Sequence, residues 1–201
     1  MGLLEAIGNL HIINVVLCAL IGVVFTLWFI PRILIVSFKK KLFDFADERK
    51  VHTGVVPRLG GVAFVPSILI SVSLMAGISS LVLPGDANVF VVPTLQMAFG
   101  LCSLILLYFE GIMDDLVGLR YRVKFVIQIL CALLIVASGI WLNDFHGLFG
   151  LAGLSPWFGV LFSVLLVVFI INAINLIDGI DGLASGLSIV SAFFFGIMFC
   201  Y

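Results

Sequence analysis

The fold is decided by the stretch PWFGVLFSVLLVVFIINAINLIDGIDGLASG, residues 156–186. Its first part, residues 156–174, carries no charged side chain and approaches the roughly 20 apolar residues that a helix needs to cross the hydrocarbon core of a membrane. Backbone N–H and C=O groups find no water in lipid, so such a run is stable only when they bond to one another, as in a helix. The stretch therefore predicts a membrane-spanning helix that ends in a polar segment.

Five further apolar runs accompany this one, near residues 10–31, 60–83, 90–112, 123–142 and 183–201. Of the 201 residues, 63% are hydrophobic and 10% are charged, whereas a soluble domain is about half apolar and about a quarter charged. The strands of an outer-membrane barrel would alternate apolar and polar residues, which these runs do not. The sequence predicts an all-α, polytopic membrane bundle of about six transmembrane helices, forming a single domain over residues 1–201.

The basic residues predict the orientation of these helices. All ten Lys and Arg residues lie at or between the first and second runs, or between the third and fourth. Short loops rich in Lys and Arg stay in the cytoplasm, so both loops are predicted on the inner side and the N-terminus outside. Eight of the eleven acidic residues also lie at or near the predicted inner face. This shared face is where a functional site is expected.

Three polar segments lie at that face, and the first is DERKVHTGVVPRLGG, residues 47–61. It combines several charged side chains with the pair Gly60-Gly61, whose missing Cβ atoms would let the backbone approach another helix or a ligand closely. An ordinary interfacial loop is the alternative interpretation, and this segment alone does not decide between the two. The preceding Lys39-Lys40-Lys41 run is typical of residues that bind anionic lipid and fix topology.

The second segment, EGIMDDLVGL, residues 110–119, meets the cytoplasm at the end of the third run. Its adjacent carboxylates, Asp114 and Asp115, repel each other where solvation is poor, so we expect one of them to keep its proton more readily or the pair to recruit a cation. An ionisable residue at the edge of a span indicates function. A helix end that merely reaches water, with the basic residues at 120–124 as partners, is the alternative.

The third segment places polar residues at intervals of three: Asn172, Asn175, Asp178 and Asp181. This spacing keeps them near one face of a helical segment. Amide and carboxylate oxygens suit a hard cation such as Mg²⁺, which leaves coordination positions for phosphate and water. Two Asp-Gly pairs are also ordinary turn signals, but turns do not explain two Asn residues at the end of an apolar helix.

Together the segments supply carboxylates for a metal and for proton transfer, and basic side chains for anions, which is the equipment of phosphoryl transfer. A transporter or ion pathway is the main alternative, although such proteins place charged elements near the membrane midplane. An inactive scaffold that binds lipid phosphate is a second alternative. No Walker A sequence, dinucleotide-binding fingerprint or nucleophile elbow is present.

The segments DERKVHTGVVPRLGG (47–61), GIMDDLVGL (111–119) and NAINLIDGIDGLASG (172–186) resemble those of the polyprenyl-phosphate N-acetylhexosamine-1-phosphate transferases, glycosyltransferase family 4. They occur in the family's order, at cytoplasmic positions and at compatible spacing. The resemblance implies transfer of N-acetylhexosamine 1-phosphate from a UDP-sugar to undecaprenyl phosphate, with release of UMP. It implies dependence on Mg²⁺ or Mn²⁺ and a place at the cytoplasmic face of the bacterial inner membrane, in the biosynthesis of cell-envelope polysaccharides such as lipopolysaccharide or wall teichoic acid.

The resemblance also implies roles for individual residues. The catalytic set is Asp114, Asp115, Asp178 and Asp181, in which the adjacent pair deprotonates or orients the lipid phosphate. The metal set is Asn175, Asp178 and Asp181. The substrate-binding set is Asp47, Arg49, Lys50, His52, Arg58, Lys124 and Asn172. The first loop is more similar to the branch of the family that uses UDP-GlcNAc than to the branch that uses UDP-MurNAc-pentapeptide.

The implied partners are undecaprenyl phosphate, a UDP-N-acetylhexosamine and membrane lipid, with a homodimer as a candidate assembly and no nucleic acid. Members of this family are longer and carry further spans and cytoplasmic loops. The chain is therefore expected to be the N-terminal portion of a longer transferase domain, with little or no turnover by itself.

Overall fold

The computed structural model of the chain describes residues 3–44, 56–57, 59–82, 94–147, 153–180 and 182–200. Six α-helices occupy most of these residues, which confirms the predicted all-α architecture. They are α1 (Leu3–Lys40), α2 (Phe64–Val82), α3 (Leu95–Val117), α4 (Tyr121–Ala137), α5 (Pro156–Ile177) and α6 (Leu183–Cys200). A short 3₁₀ helix, Gly60–Ala63, leads into α2, and two strands of two residues each, β1 (Phe43–Asp44) and β2 (Val56–Pro57), pair with each other.

Four stretches of the described chain are long and apolar enough to cross a membrane: Ile12–Lys40, Gly60–Ser79, Leu95–Val117 and Pro156–Ile177. Within α6, Leu183–Met198 is a shorter apolar stretch. Helix α4 has 17 residues. At 1.5 Å per residue α4 is about 25 Å long, somewhat less than the roughly 30 Å hydrocarbon core that a span must cross. A helix this short is accommodated by local thinning of the bilayer. The chain is thus a multi-pass helical membrane protein, and its predicted orientation stays a prediction.

The chain divides into two compact units. The first contains α1, α2 and α3 (Met1–Phe43 and Pro57–Gly118), and the second contains α4, α5 and α6 (Asp44–Val56 and Leu119–Tyr201).

In the first unit α1 packs against α2 through small side chains. Ser67, Ser71 and Ser79 recur at helical spacing along α2 and are buried. Across from them, a Cβ added to Gly22 of α1 would lie 3.5 Å from Ser71 Oγ. Within the described residues the buried hydroxyls of Ser67 and Ser79 have no hydrogen-bond partner. Their small size, which lets two membrane helices approach closely, therefore explains these serines better than hydrogen bonding does.

In the second unit a polar network shapes the connection from α4 to α5. Ser163 Oγ accepts the Leu142 N–H at 2.8 Å and donates to the Gly159 carbonyl at 2.7 Å. Asp144 Oδ1 accepts the backbone N–H groups of His146 and Gly153, both at 2.9 Å. These two donors, Gly153 first, hold the pKa of the Asp144 carboxyl below its ordinary value. The carboxylate thus links the part of the connection around His146 to Gly153.

Gly159 is the most closely packed of the described glycines, because α5 meets the chain after α4 there. A Cβ at position 159 would lie 2.7 Å from a ring carbon of Trp141 and would overlap the Leu142 carbonyl oxygen. We expect Gly159→Ala to cost about 1–3 kcal/mol of stability through overpacking, seen as a lower thermal unfolding midpoint in lipid nanodiscs. The matched control is Gly196→Ala in α6, where a Cβ meets nothing within 4 Å. An unchanged unfolding midpoint for Gly159→Ala would contradict the close packing of Gly159 against Trp141 and Leu142.

Candidate active site

The acidic pair Asp114-Asp115 occupies the last turn of α3. The helix ends at Gly118, which has φ 72° and donates its N–H to the Asp114 carbonyl at 2.9 Å. The C-terminal end of a helix carries a partial negative charge, so the helix dipole disfavours two carboxylates there. Their presence at the end of an apolar span indicates that another group requires them.

The side chain of Asp115 is turned toward the segment that precedes α2. Its Oδ2 accepts the backbone N–H of Leu59 at 3.3 Å. Tyr108 lies two turns earlier on α3, and its hydroxyl donates to the Val62 carbonyl at 3.3 Å. Positions seven apart share a helix face, so one face of α3 binds both ends of residues 59–62, which we name the Leu59 turn.

Asp114 is one residue earlier and therefore about 100° away around the helix. It shares its face with Glu110, four residues earlier. Glu110 is 9% exposed and lies within the apolar span. A carboxyl inside a span is costly and indicates function. Glu110 is absent from the sequence-predicted site residues, although its position one turn before the acidic pair was the signal that could have added it.

Asn172 contributes to the packing of the second unit. Its Nδ2 donates to Gln128 Oε1 of α4 at 2.7 Å and to the Val168 carbonyl at 2.8 Å. Gln128 is 4% exposed. Hydrogen bonds between amide side chains hold membrane helices together. The amide nitrogen of Asn172 is thus engaged by its own unit, and the substrate-binding role predicted for this residue stays a prediction.

Asn175 and Asp178 lie exposed at the end of α5. Asp178 keeps helical backbone angles (φ −68°, ψ −13°), and its N–H donates to the Ile174 carbonyl at 3.1 Å. Residues three apart on a helix are surface neighbours, about 5–6 Å between Cβ atoms. The partial negative charge of this helix end favours a cation, and amide and carboxylate oxygens are the ligands that Mg²⁺ prefers. The donor chemistry fits the predicted metal site.

The third predicted ligand, Asp181, lies outside the described residues. Among the residues that are described, no three His, Cys, Asp or Glu side chains form a group able to hold a metal ion. The metal set Asn175, Asp178 and Asp181 therefore stays a prediction.

The basic residues of the candidate site are only partly described. Lys124 is half-buried in the first turn of α4, where the partial positive charge of the helix end disfavours a cation. The first-loop residues of the substrate-binding set lie outside the described residues: Asp47, Arg49, Lys50, His52 and Arg58.

The pair Gly60-Gly61 was predicted to allow a close approach by another helix or by a ligand. A Cβ at either position meets nothing within 4 Å, so within the described residues the missing Cβ atoms do not make room for another helix. The approach of a ligand is the alternative that stays a prediction.

Two comparisons relate the chain to known proteins. The profile of a family described as Glycosyl transferase family 4 matches residues 97–201, which include both Asp114-Asp115 and the end of α5. A probable undecaprenyl-phosphate N-acetylglucosaminyl 1-phosphate transferase of Bacillus subtilis (strain 168) is 31% identical over 181 residues, which make up 90% of this chain and 47% of that relative. The chain thus spans about half the length of the curated relative it matches. No solved structure matches the chain significantly.

The Asn172–Gln128 hydrogen bond yields a stability prediction. Asn172→Ala and Gln128→Ala should each lower the unfolding midpoint in detergent, and a double-mutant cycle should give a coupling of about 0.5–1.5 kcal/mol. The matched control is Asn175→Ala, one turn further along α5 and exposed, which should leave the midpoint in place. Strictly additive effects of the first two substitutions would show that the two amides do not interact.

Proposed function

We propose a function from the premise that follows: this chain belongs to glycosyl transferase family 4. The proposed reaction transfers N-acetylhexosamine 1-phosphate from a UDP-sugar to undecaprenyl phosphate and releases UMP. The sugar we propose is GlcNAc, because the relative at 31% identity carries N-acetylglucosaminyl in its name. The observation that carries the proposal is the acidic pair at the end of an apolar span, inside the region that matches the family. We place the reaction at the cytoplasmic face of the bacterial inner membrane, in cell-envelope polysaccharide biosynthesis.

The ends of the spans suit the two substrates, since one is dissolved in lipid and the other in water. The hydrocarbon tail of a polyprenyl phosphate stays in the bilayer while its phosphate reaches the surface. Asp114 and Asp115 lie at the end of the α3 span, and Asn175 and Asp178 lie at the end of the α5 span. The basic loops support the cytoplasmic assignment, because short Lys- and Arg-rich loops stay inside.

The reaction forms a bond between an oxygen of the lipid phosphate and the phosphorus that carries the sugar, and it breaks the bond from that phosphorus to UMP. A phosphate monoester loses its second proton near pH 6, so near neutrality most of the nucleophile is already deprotonated. The larger task is therefore to offset charge repulsion between two phosphate-bearing substrates. We assign the remaining proton to Asp114, and the binding of phosphate oxygens to Lys124 and to the basic side chains of the first loop.

Asn175, Asp178 and Asp181 would hold Mg²⁺ or Mn²⁺, and the exposed oxygens at the end of α5 support this part of the proposal. When bound, the ion would neutralise charge that develops on the diphosphate oxygens. Asp178 continues the helical backbone one residue past α5, so Asn175 and Asp178 are neighbours on the surface of this helix end.

An ion pathway is a second candidate function, and Glu110 inside the α3 span favours it. A carboxyl within a span is typical of proton and ion routes. Uptake of ions into liposomes without UMP release from UDP-GlcNAc would support this candidate over the transferase.

We expect the full-length protein, reconstituted with polyprenyl phosphate, to release UMP from UDP-GlcNAc in the presence of Mg²⁺ and to stop when EDTA is added. Asp114→Asn and Asp178→Asn should each lower kcat/KM by at least about a hundredfold, since each removes a charge that the reaction uses. The matched control is Asp144→Asn in the connection from α4 to α5, which should stay within about twofold of wild type, because the described contacts of Asp144 lie within its own loop.

Three outcomes would contradict the proposal: UMP release in EDTA, full activity of Asp178→Asn, or no release with any UDP-sugar.

A further inference from the structure

The Leu59 turn holds a backbone conformation that leucine rarely adopts. Leu59 has φ 73° and ψ 11°, in the left-handed region. For an L-residue with a Cβ this region is disfavoured. Strain of this kind persists where surrounding contacts determine it, and it is often associated with function. In sequence, Leu59 directly follows Arg58, the last basic residue of the first loop.

Two side chains of α3 bind the strained turn at its two ends. Asp115 Oδ2 accepts the Leu59 N–H at 3.3 Å, and the Tyr108 hydroxyl donates to the Val62 carbonyl at 3.3 Å. Inside the turn, the Val62 N–H donates to the Leu59 carbonyl at 3.1 Å. A carboxylate is the stronger kind of acceptor for a backbone N–H, because its charge assists the bond. Asp115 therefore holds the N-terminal end of the turn, where the basic loop ends.

We propose that Asp115 is a positioning residue, which holds the left-handed Leu59 turn against α3 and so fixes the point at which the first loop leads into α2. This inference rests on the proposed function for its consequence in catalysis. Asp114 lies on another face of α3, which it shares with Glu110, and under the proposed function it is the member of the pair that acts on substrate. Two adjacent helical residues differ by about 100° in direction. Asp115 can therefore hold the Leu59 turn while Asp114 faces elsewhere.

Substitutions at position 115 separate this role from direct action on substrate. Asn keeps an oxygen that can accept the Leu59 N–H but lacks the charge, whereas Ala loses both. A second route uses Leu59 itself, because Gly adopts positive φ without strain. Leu59→Gly should therefore reduce the need for Asp115. If Asp115 instead contacted substrate, a change at Leu59 would restore nothing.

The first experiment measures hydrogen exchange at the Leu59 amide of the protein in lipid nanodiscs. We expect this amide to exchange at least about tenfold faster in Asp115→Ala than in wild type, with Asp115→Asn between the two, because the bond is lost in one and weakened in the other. Tyr108→Phe removes the second contact with the turn while keeping every carboxylate, and should also raise the exchange rate. Unchanged exchange in Asp115→Ala overturns the proposal.

The second experiment measures UMP release by the full-length protein. Asp115→Asn should keep activity within about tenfold of wild type, Asp115→Ala should lose at least about a hundredfold, and Leu59→Gly in the Asp115→Ala background should recover part of the loss. The proposal is overturned if Asp115→Asn is as inactive as Asp115→Ala while its Leu59 amide is still protected from exchange. In that case activity would depend on the charge of residue 115 and not on the position of the turn. A wild-type protein that releases no UMP refutes the proposed function, while the exchange experiment still decides whether Asp115 holds the turn.

Discussion

A polar group placed inside a bilayer must find its partner within the protein, and the arrangement of polar side chains in this chain follows from that requirement. The cost rises from a hydroxyl to an amide to a charge. The hydroxyls of Ser67 and Ser79 are buried with no hydrogen-bond partner among the described residues, the amide of Asn172 is paired with Gln128, and most charged residues lie at or beyond the ends of apolar runs. Most of the charge is therefore confined to the ends of the apolar runs, although Glu110 lies inside α3.

The same requirement determines what holds the helices together. Lipid is as apolar as leucine, so burying apolar side chains between helices gains little, and close contact and hydrogen bonds become more important. The approach of α1 and α2 at Gly22 and Ser71, and the amide pair between α4 and α5, are contacts of this kind. Large apolar side chains such as Leu27 and Phe169 are more than 60% exposed in the described structure, as expected for surfaces that lipid covers.

The sequence alone predicted the number and kind of helices, because a long apolar run in lipid can form little else. It predicted their ends less well. The first run was placed near residues 10–31, but α1 continues through Pro31 to Lys40, since a membrane helix tolerates proline when the freed backbone groups find other partners. The fourth run was extended to residue 142, but the structure ends α4 at Ala137, and Gly139 has φ 92°.

The candidate site was predictable in its residue types and not in its contacts. Asp114, Asp115, Asn175 and Asp178 stand out because polar residues at the end of an apolar run are unexpected. The partner of Asp115 is the Leu59 backbone, 56 residues away, and the partner of Asn172 is Gln128, 44 residues away. Such pairs depend on which helices become neighbours, so sequence pattern alone could not divide the acidic pair into two roles or assign packing to Asn172.

The orientation predicted from the basic loops places the acidic pair at the end of α3 on the cytoplasmic side of the membrane, where the proposed reaction needs it. Cysteine accessibility tests this orientation most directly, in a background without native cysteines. We predict that a cysteine placed at position 114 reacts with an impermeant maleimide only after the inner membrane is permeabilised, whereas a cysteine at position 146 reacts in cells whose inner membrane is intact. Labelling of position 114 in cells whose inner membrane is intact would contradict the predicted orientation.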